Sequence, residues 1–205
     1  RRFQRPQQGL PQGSLPLPRI EQIIDATAVH DSLCFLDAYS GYHQIKMKES
    51  DQAATTFITP HGPFCFNTMP FGLKNAGATY QRMIQTCLEK QIGKTVKAYV
   101  DDIVIKTRHV ETLIDDLRLT LDNLRAYDIK LNPEKCVFGV PVGKLLGFIV
   151  SNRGIEANPA KIRALSQLAM PTDLKQVRKL VGCVAALSRF ISRLGAKALP
   201  LYRLL

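Results

Sequence analysis

The chain has 205 residues, of which 45% are hydrophobic, a length and composition typical of one large globular domain with a real core. Its longest apolar runs fall far short of the ~20 residues that a membrane-spanning helix needs, which argues against an integral membrane protein. The net charge of +11 is concentrated late in the chain, because residues 151–205 hold ten Lys or Arg against two acids. This excess indicates either a phosphate-rich partner or a solvated helix face.

The cysteines and the first residues of the chain indicate in which cellular compartment the protein is expected. Five widely spaced cysteines, an odd number, do not suggest a disulfide framework, and the four histidines make no paired zinc spacing with them. The start, RRFQRPQQGLPQG, has no apolar core typical of a signal peptide and no initiating Met. We therefore expect a fragment of an intracellular protein with free thiols in a reducing compartment.

The first half of the chain is predicted to contain short strands and one helix. Residues 1–14, rich in Gln, Gly, Pro and Arg, show no apolar period and are expected to be irregular. The following elements are predicted from apolar spacing: a helix at 19–28, a buried strand LCFLD at 33–37, a half-exposed strand QIKMK at 44–48, and a hairpin of TTFIT (55–59) with PFCFNTM (63–69).

The second half shows longer helical patterns. One helix is predicted from Ala76 to near Gly93, a second covers about 110–127, and a third starts at Asn132-Pro133-Glu134. From Asn158-Pro159 onward the chain is predicted to be helical, and Thr172-Asp173 caps a last helix whose apolar face reaches Ile191. LLGFIV (145–150) predicts one more strand. Because the hairpins imply antiparallel pairing, the predicted fold class is α+β, with an antiparallel sheet and covering helices.

The stretch KAYVDDIVIKT (97–107) places two adjacent carboxylates, Asp101 and Asp102, inside an apolar, strand-like run. Asp is rare in strands, and two like charges about 4 Å apart repel by roughly 4 kcal/mol at an effective dielectric near 20. A hairpin turn would explain the pair without a ligand, whereas a divalent cation would offset the repulsion. A third carboxylate, Asp37, ends the strand LCFLD, as two-metal phosphoryl transfer requires, although a turn or cap Asp fits there too.

Five ordered blocks decide between these interpretations: FLDAYSGYHQIKM, MPFGLKNAGATYQR, YVDDIVIKT, KLNPEKC and LLGFIV. Together they resemble a reverse transcriptase, most closely the polymerase of gypsy-like LTR retrotransposons of plants, within a retrovirus-related Pol polyprotein. The resemblance runs from about Leu15 to Leu205. It implies a right-hand polymerase with a palm at 15–152, which includes distal fingers at 45–75, and the start of a helical, basic thumb at 153–205.

The implied activity is RNA-directed DNA polymerisation, in which a primer 3′-hydroxyl attacks the α-phosphate of a dNTP with the help of two Mg²⁺ ions, or Mn²⁺ as an alternative. The resemblance makes Asp37 and Asp101 the main metal ligands and Asp102 an accessory carboxylate. The other implied positions are Ala38, Tyr42, Phe71 and Gly72 for the nucleotide, Leu146 and Gly147 for the primer terminus, and Lys175, Arg178 and Lys179 for backbone phosphates.

The implied partners are an RNA or DNA template with its primer, dNTPs, and the remainder of a Pol polyprotein with RNase H, integrase and protease. The intact element would work in a cytoplasmic particle or in the nucleus. Two other interpretations stay open. The chain could be an inactive relic or a host-adopted nucleic-acid-binding protein, or it could be another palm polymerase, such as an RNA-dependent RNA polymerase, against which the blocks MPFGL and LNPEKC argue.

Residues 1–13 depart from the family pattern, in which a segment resembling VDF-x-DLN-x-ACPKD precedes LPLPRI. We hypothesise a reading-frame error, because one permitted back-translation of RRFQRPQQGLPQG, read from its second base, spells VDFKDLNKACPK. One base lost near Gly13-Ser14 would restore the frame, and we expect this copy to be inactive. Sequencing the coding DNA tests the hypothesis. A one-base shift there should yield a VDF-x-DLN-like peptide, and a DNA that yields none would refute it.

Overall fold

The computed structural model describes residues 18–205, so the predicted irregular segment at 1–14 and its reading-frame hypothesis lie outside the described residues. The helices are α1 Ile20–Thr27, α2 Glu49–Gln52, α3 Ala76–Cys87, α4 Leu113–Ala126, α5 Pro159–Ser166, α6 Leu174–Ala185 and α7 Leu194–Tyr202. The strands are β1 Ser32–Asp37, β2 Phe57–Thr59, β3 Gly62–Phe64, β4 Val96–Tyr99, β5 Asp102–Thr107, β6 Val137–Val140, β7 Val142–Leu145, β8 Phe148–Ser151 and β9 Gly154–Ala157. Among these helices, none has the length and apolarity needed to cross a bilayer.

The central sheet has four strands in the order β4-β5-β1-β6, and its pairings are antiparallel. Strand β1 pairs with β5 from Ser32↔Thr107 to Asp37↔Asp102 without a register shift. Helices α1 and α3 contact β4, and α4 contacts β5, so helices cover the sheet. The predicted α+β fold class is confirmed.

The core lies between this sheet and its helices, where apolar side chains of each element meet. Helix α3 buries Ala76, Tyr80, Ile84 and Cys87, which recur every three or four residues and so lie along one helix face. That face packs in one cluster with the buried residues of β1, β4, β5 and α4. The side chains that α3 points at the sheet are therefore fixed in position.

The chain divides into two compact units. The first contains residues up to Leu146 together with Val150–Gly154, and the second contains Gly147–Ile149 and Ile155–Leu205. The first unit holds the central sheet and the β2-β3 hairpin, and the second holds α5, α6 and α7. The assignment of palm, fingers and thumb stays a prediction.

Several predicted elements are confirmed. The β2-β3 hairpin forms with Phe57 opposite Phe64, and α1 and α4 lie within a few residues of their predicted ranges. Helix α3 begins at Ala76 as predicted but ends at Cys87, short of the predicted end near Gly93. Two predicted helix starts have the expected side-chain caps. Asn158 Oδ1 accepts from the backbone N–H of Ala160 at 2.9 Å, and Asp173 Oδ1 accepts from that of Gln176 at 2.7 Å.

Three predicted elements are wrong. The predicted strand LLGFIV (145–150) is interrupted at Leu146 and Gly147, whose positive φ values form the turn between β7 and β8. Residues 44–48 form no full strand, because Gln44 ends the 3₁₀ turn Gly41–Gln44 and α2 begins at Glu49, which leaves room for only one isolated bridge, Lys46↔Thr68. No helix starts at Asn132, whose side-chain oxygen accepts from the Glu134 N–H at 3.2 Å within a turn. The last predicted helix is also shorter than expected, because α6 ends at Ala185.

Candidate active site

The ends of two paired strands bring two of the predicted carboxylates face to face. Asp37 is the last residue of β1 and Asp102 is the first residue of β5, and they are direct partners in the antiparallel ladder. Directly opposed residues project from the same face of a sheet, so both carboxylates lie on one side. Asp101, immediately before Asp102, is the second residue of the two-residue turn Val100-Asp101 between β4 and β5. The structure therefore collects all three predicted acids at one end of the central sheet.

The turn that carries Asp101 is held in a strained conformation. Its first residue, Val100, has φ +50°, a value rare for β-branched residues, while Asp101 has no positive φ, a pattern shared with type II′ hairpin turns. The buried Gln81 of α3 fixes this backbone with two hydrogen bonds. Its Oε1 accepts from the Val100 N–H at 2.8 Å, and its Nε2 donates to the Ala98 carbonyl at 3.1 Å. Gln81 thereby ties the acidic turn to the helix.

The KLNPEKC segment supplies a positive charge beside Asp37. The Asn132 N–H donates to the Asp37 carbonyl at 2.9 Å, which holds the segment along the end of β1. Lys135 Nζ then lies 3.7 Å from Asp37 Oδ1, with both side chains partly open to solvent. An exposed pair of this kind contributes little to stability, so its main effect is to reduce the local negative charge.

Burial, and after it the neighbouring negative charge, raises the pKa values of two carboxyls. For Asp101 the largest cause is burial, followed by the charges of Asp37 and Asp102, while the charge of Lys135 lowers the pKa of this carboxyl. Asp102 is an exposed residue, yet partial loss of hydration and the charge of Asp37 also raise the pKa of its carboxyl. Both acids are therefore poorly compensated by the protein alone.

The residues fit a divalent cation by donor chemistry. Three carboxylates make an oxygen-only set of the kind that Mg²⁺ prefers, and a cation would relieve the repulsion among them. Asp101 Oδ1 is buried and has no hydrogen-bond partner among the described residues. Within residues 18–205, however, no three His, Cys, Asp or Glu side chains already converge on one metal position. The three acids thus share one end of the sheet without converging on one position.

An aromatic cluster lies beside the carboxylates and contains two of the predicted nucleotide-binding residues. Tyr42, in the 3₁₀ turn Gly41–Gln44, packs edge-on against Phe71 at 5.2 Å and against Tyr80 at 5.6 Å between ring centroids. Burial raises the pKa of Tyr42, and the charge of Asp101 raises it further. Phe71 is 66% exposed and His43 contacts its other side, so the cluster presents an open aromatic surface.

The other predicted nucleotide-binding residues lie in the same unit. Ala38, next to Asp37, is buried and bridges to Leu131. Gly72 has φ +92°, and a Cβ added there would meet no atom within 4 Å, so its backbone faces open space. This is compatible with a ligand approaching the Gly72 backbone.

The predicted primer and backbone contacts belong to other elements. Leu146 and Gly147 form the turn between β7 and β8 with φ values of +48° and +84°. Lys175, Arg178 and Lys179 are exposed on α6, where their spacing places them on one helix face in the second unit. The structure does not by itself bring these five residues to the carboxylates.

Four residues of this site were missed by sequence reasoning: Gly41, Tyr80, Gln81 and Lys135. Tyr80 fits the apolar face of α3, and nothing in the motifs distinguishes Gln81. A Gln next to the buried stripe of a helix is the signal that could have been used, because a buried amide must find partners. Lys135 lies within the block KLNPEKC, but its position there does not reveal a role.

A family model for "Reverse transcriptase (RNA-dependent DNA polymerase)" matches residues 1–150. The chain belongs to the reverse transcriptase family. Members of this family depend on divalent metal ions. The expected family is thereby confirmed, and the third interpretation, an RNA-dependent RNA polymerase, is set aside.

Curated relatives of this reverse transcriptase chain include retrovirus-related Pol polyproteins of Drosophila melanogaster. The polyprotein from transposon opus is 38% identical over 189 residues, and that from transposon gypsy is 32% identical over 186 residues. The Tf2-3 polyprotein of Schizosaccharomyces pombe is 30% identical over 190 residues. These alignments cover 92%, 91% and 93% of the chain but only 19%, 18% and 14% of the relatives. The chain thus spans less than a fifth of their length.

Solved structures show the same fold. The foamy viral protease-reverse transcriptase dRH in complex with double-stranded DNA has a TM-score of 0.88 at 18% identity, covering 95% of this chain and 34% of that one. The foamy viral protease-reverse transcriptase in complex with an RNA/DNA hybrid has a TM-score of 0.84 at 18% identity, covering 93% and 26%. At this identity the likeness establishes the fold.

The raised pKa of Asp101 predicts how stability depends on pH. A raised folded-state pKa means that the folded protein holds the proton more tightly, so this group lowers stability as pH rises through its folded pKa. In metal-free buffer, Asp101→Asn should therefore melt higher than the wild type near neutral pH, and the difference should shrink towards about pH 4. Melting temperatures of both proteins across this range measure the effect.

The matched control is Asp115→Asn, because Asp115 is exposed on α4 beside Arg118. This variant should gain no stability as pH rises. A difference between Asp101→Asn and the wild type that does not change with pH would contradict the electrostatic account of the site.

Proposed function

We propose that the chain is the catalytic part of an RNA-directed DNA polymerase that adds dNTPs to a primer 3′-hydroxyl. The observation that carries the proposal is the ladder pairing of Asp37 with Asp102 and the placement of Asp101 in the adjoining turn. Three carboxylates at one end of a sheet, in a reverse transcriptase chain, suit the binding of two metal ions. The ions proposed are Mg²⁺, with Mn²⁺ as an alternative.

In this proposal the carboxylates are the metal ligands, with Asp37 and Asp101 as main ligands and Asp102 as an accessory. When bound, the metal ions supply activation of the 3′-hydroxyl and charge neutralisation at the triphosphate. The chain itself supplies position. The β1-β5 ladder fixes Asp37 and Asp102, and Gln81 fixes the turn of Asp101. Lys135 partly balances the carboxylate charge beside Asp37.

The aromatic cluster is proposed to bind the incoming nucleotide. Tyr42 would lie under the sugar and exclude a 2′-hydroxyl, Phe71 would line the pocket, and Ala38 and Gly72 would contribute backbone. Support comes from the edge-on packing of Tyr42 between Phe71 and Tyr80, which holds the ring rigidly beside the acidic turn. A ring that cannot rotate away is suited to a steric filter.

Two groups of residues are proposed to contact the primer–template. Lys175, Arg178 and Lys179 would contact backbone phosphates, and Leu146 and Gly147 the primer terminus, with an RNA or DNA template. The full enzyme would be a Pol polyprotein with RNase H, integrase and protease, working inside the cell in a particle or in the nucleus. All five cysteines are free thiols, which is compatible with a reducing compartment.

A primer-extension assay on an RNA template tests the activity. In an otherwise complete polymerase that carries this chain, Asp37→Asn and Asp101→Asn should each abolish dNTP incorporation, because each removes a metal-ligand charge with little change in shape. Asp115→Asn is the control and should retain activity. Wild-type rates in either site variant would reject the assignment, and an inactive parent enzyme would favour the relic interpretation.

Sugar selection tests the role of Tyr42. In the same polymerase, Tyr42→Val should admit ribonucleotides, because the ring that would block the 2′-hydroxyl is gone. Tyr42→Phe keeps the ring and should keep the selectivity. The ratio of GTP to dGTP incorporation is the measurement, and an unchanged ratio in Tyr42→Val would leave Tyr42 as a packing residue.

The salt dependence of binding tests the basic face of α6. Replacing Lys175, Arg178 and Lys179 by Gln should weaken primer–template binding, because fewer phosphates are neutralised. The plot of log affinity against log salt should flatten by about one unit of slope for each phosphate that the variant no longer neutralises. Lys90→Gln with Lys94→Gln, at exposed positions of the first unit, is the control. Equal slopes in both variants would mean that α6 only carries solvated charge.

A further inference from the structure

Three buried side-chain oxygens have no hydrogen-bond partner among residues 18–205: Ser151 Oγ, and two atoms beside the carboxylates, the Tyr80 hydroxyl and Asp101 Oδ1. The Tyr80 side chain is fully buried at 0% exposure. A buried hydroxyl or carboxylate oxygen without a partner is strongly unfavourable, and such groups are rare in native proteins. Two of them on adjoining elements of one site therefore require a common explanation.

Both atoms approach the same point, which is the position where residue 41 would carry a Cβ. An added Cβ on Gly41 would overlap Asp101 Oδ1 and would lie 2.8 Å from the Tyr80 hydroxyl oxygen. Gly41 has no positive φ, so its backbone does not require glycine. What requires glycine here is the space that these two oxygens occupy.

The two atoms are chemically complementary. A tyrosine hydroxyl has a proton to donate, and an ionised carboxylate only accepts. The Tyr80 ring is held by the core and by the edge-on contact with Tyr42, so its hydroxyl cannot move far. The carboxylate of Asp101 is the movable partner, because rotation about a terminal sp³–sp² bond is broad and soft.

We propose that Tyr80 is a positioning residue for Asp101: its hydroxyl donates a hydrogen bond to Oδ1 above Gly41 and leaves Oδ2 to face the cation. The role of the cation rests on the proposed function, whereas the contact itself does not. A hydrogen bond to a charged acceptor is short and strong, so it selects one rotation of the carboxylate. Outer partners of metal ligands commonly fix the ligand in this way.

The contact is tested first without metal, by a double-mutant cycle on the 205-residue chain in buffer with a chelator. Tyr80→Phe removes only the hydroxyl. It should lower the melting temperature by roughly 3 °C or more in the wild-type background, because the bond to a charged acceptor no longer forms. In the Asp101→Ala background the same change should cause no decrease. Equal decreases in both backgrounds, or a gain from Tyr80→Phe alone, would overturn the proposal.

The positioning role is tested by Mn²⁺ binding, followed by the paramagnetic resonance signal of the free ion. Tyr80→Phe should raise the Mn²⁺ dissociation constant about 10-fold, the effect typical of an outer partner of a metal ligand. The matched control is Tyr127→Phe, at an exposed position after α4, which should bind Mn²⁺ as the wild type does. Wild-type affinity in Tyr80→Phe would overturn the positioning role.

Mn²⁺ binding by two variants distinguishes an error in the proposed metal site from an error in the proposed role of Tyr80. If Asp101→Asn binds Mn²⁺ as tightly as the wild type, the metal site itself is wrong, and the metal-free cycle still decides whether Tyr80 contacts Asp101. If Asp101→Asn loses Mn²⁺ and Tyr80→Phe does not, the metal site stands and the role of Tyr80 is refuted.

Discussion

Asp37 and Asp102 meet because β1 and β5 pair in one unbroken antiparallel register, from Ser32↔Thr107 to Asp37↔Asp102. A slip of one residue would turn the Asp102 side chain to the opposite face and move the apolar residues of β5 out of the core. Burial of Ile103 and Ile105 resists such a slip, since both are fully enclosed. The acidic site therefore depends on the same apolar contacts that hold the sheet together.

The fold holds the three carboxylates close together although their charges repel one another. Like charges gather at one end of the sheet, two of the acids have raised pKa values, and Val100 adopts a backbone conformation that β-branched residues disfavour. Gln81, buried in α3, counteracts this by anchoring the turn to a helix that is itself embedded in the core. Strain and repulsion concentrated at one place, with rigid support around it, are typical of sites built for a ligand.

The sequence predicts those features of the fold and the site that depend on local chemistry alone. The caps Asn158 and Asp173, the β2-β3 hairpin and the placement of Asp101 at a hairpin all follow from residue type and spacing. Prediction failed where the tertiary fold sets the local conformation. Gln44 lies in a 3₁₀ turn, and its side chain bonds to the backbone of Lys130, 86 residues away, where a strand was expected at 44–48. Such partners are set by the tertiary fold, which periodicity cannot show.

The same limit explains the residues that were missed at the site. Tyr80 has the position and character of a core aromatic, and only its unpartnered hydroxyl, next to the place where residue 41 would carry a Cβ, distinguishes it. Gly41 has an ordinary backbone conformation, so nothing local reveals why it lacks a side chain. Both roles come from close approach between elements that are distant in sequence.

The hydrogen bonds from Gln81 to the turn affect which substitutions the turn can accept. Its two hydrogen bonds reach backbone atoms of Ala98 and Val100, so the Val100 side chain takes no part in them. Residue 100 meets two further demands: a positive φ, which glycine and asparagine adopt more easily than valine, and an apolar contact with the core, which valine supplies. A substitution at position 100 therefore exchanges backbone strain against core packing. Either way the two neighbouring aspartates keep their anchor, because it runs through the main chain.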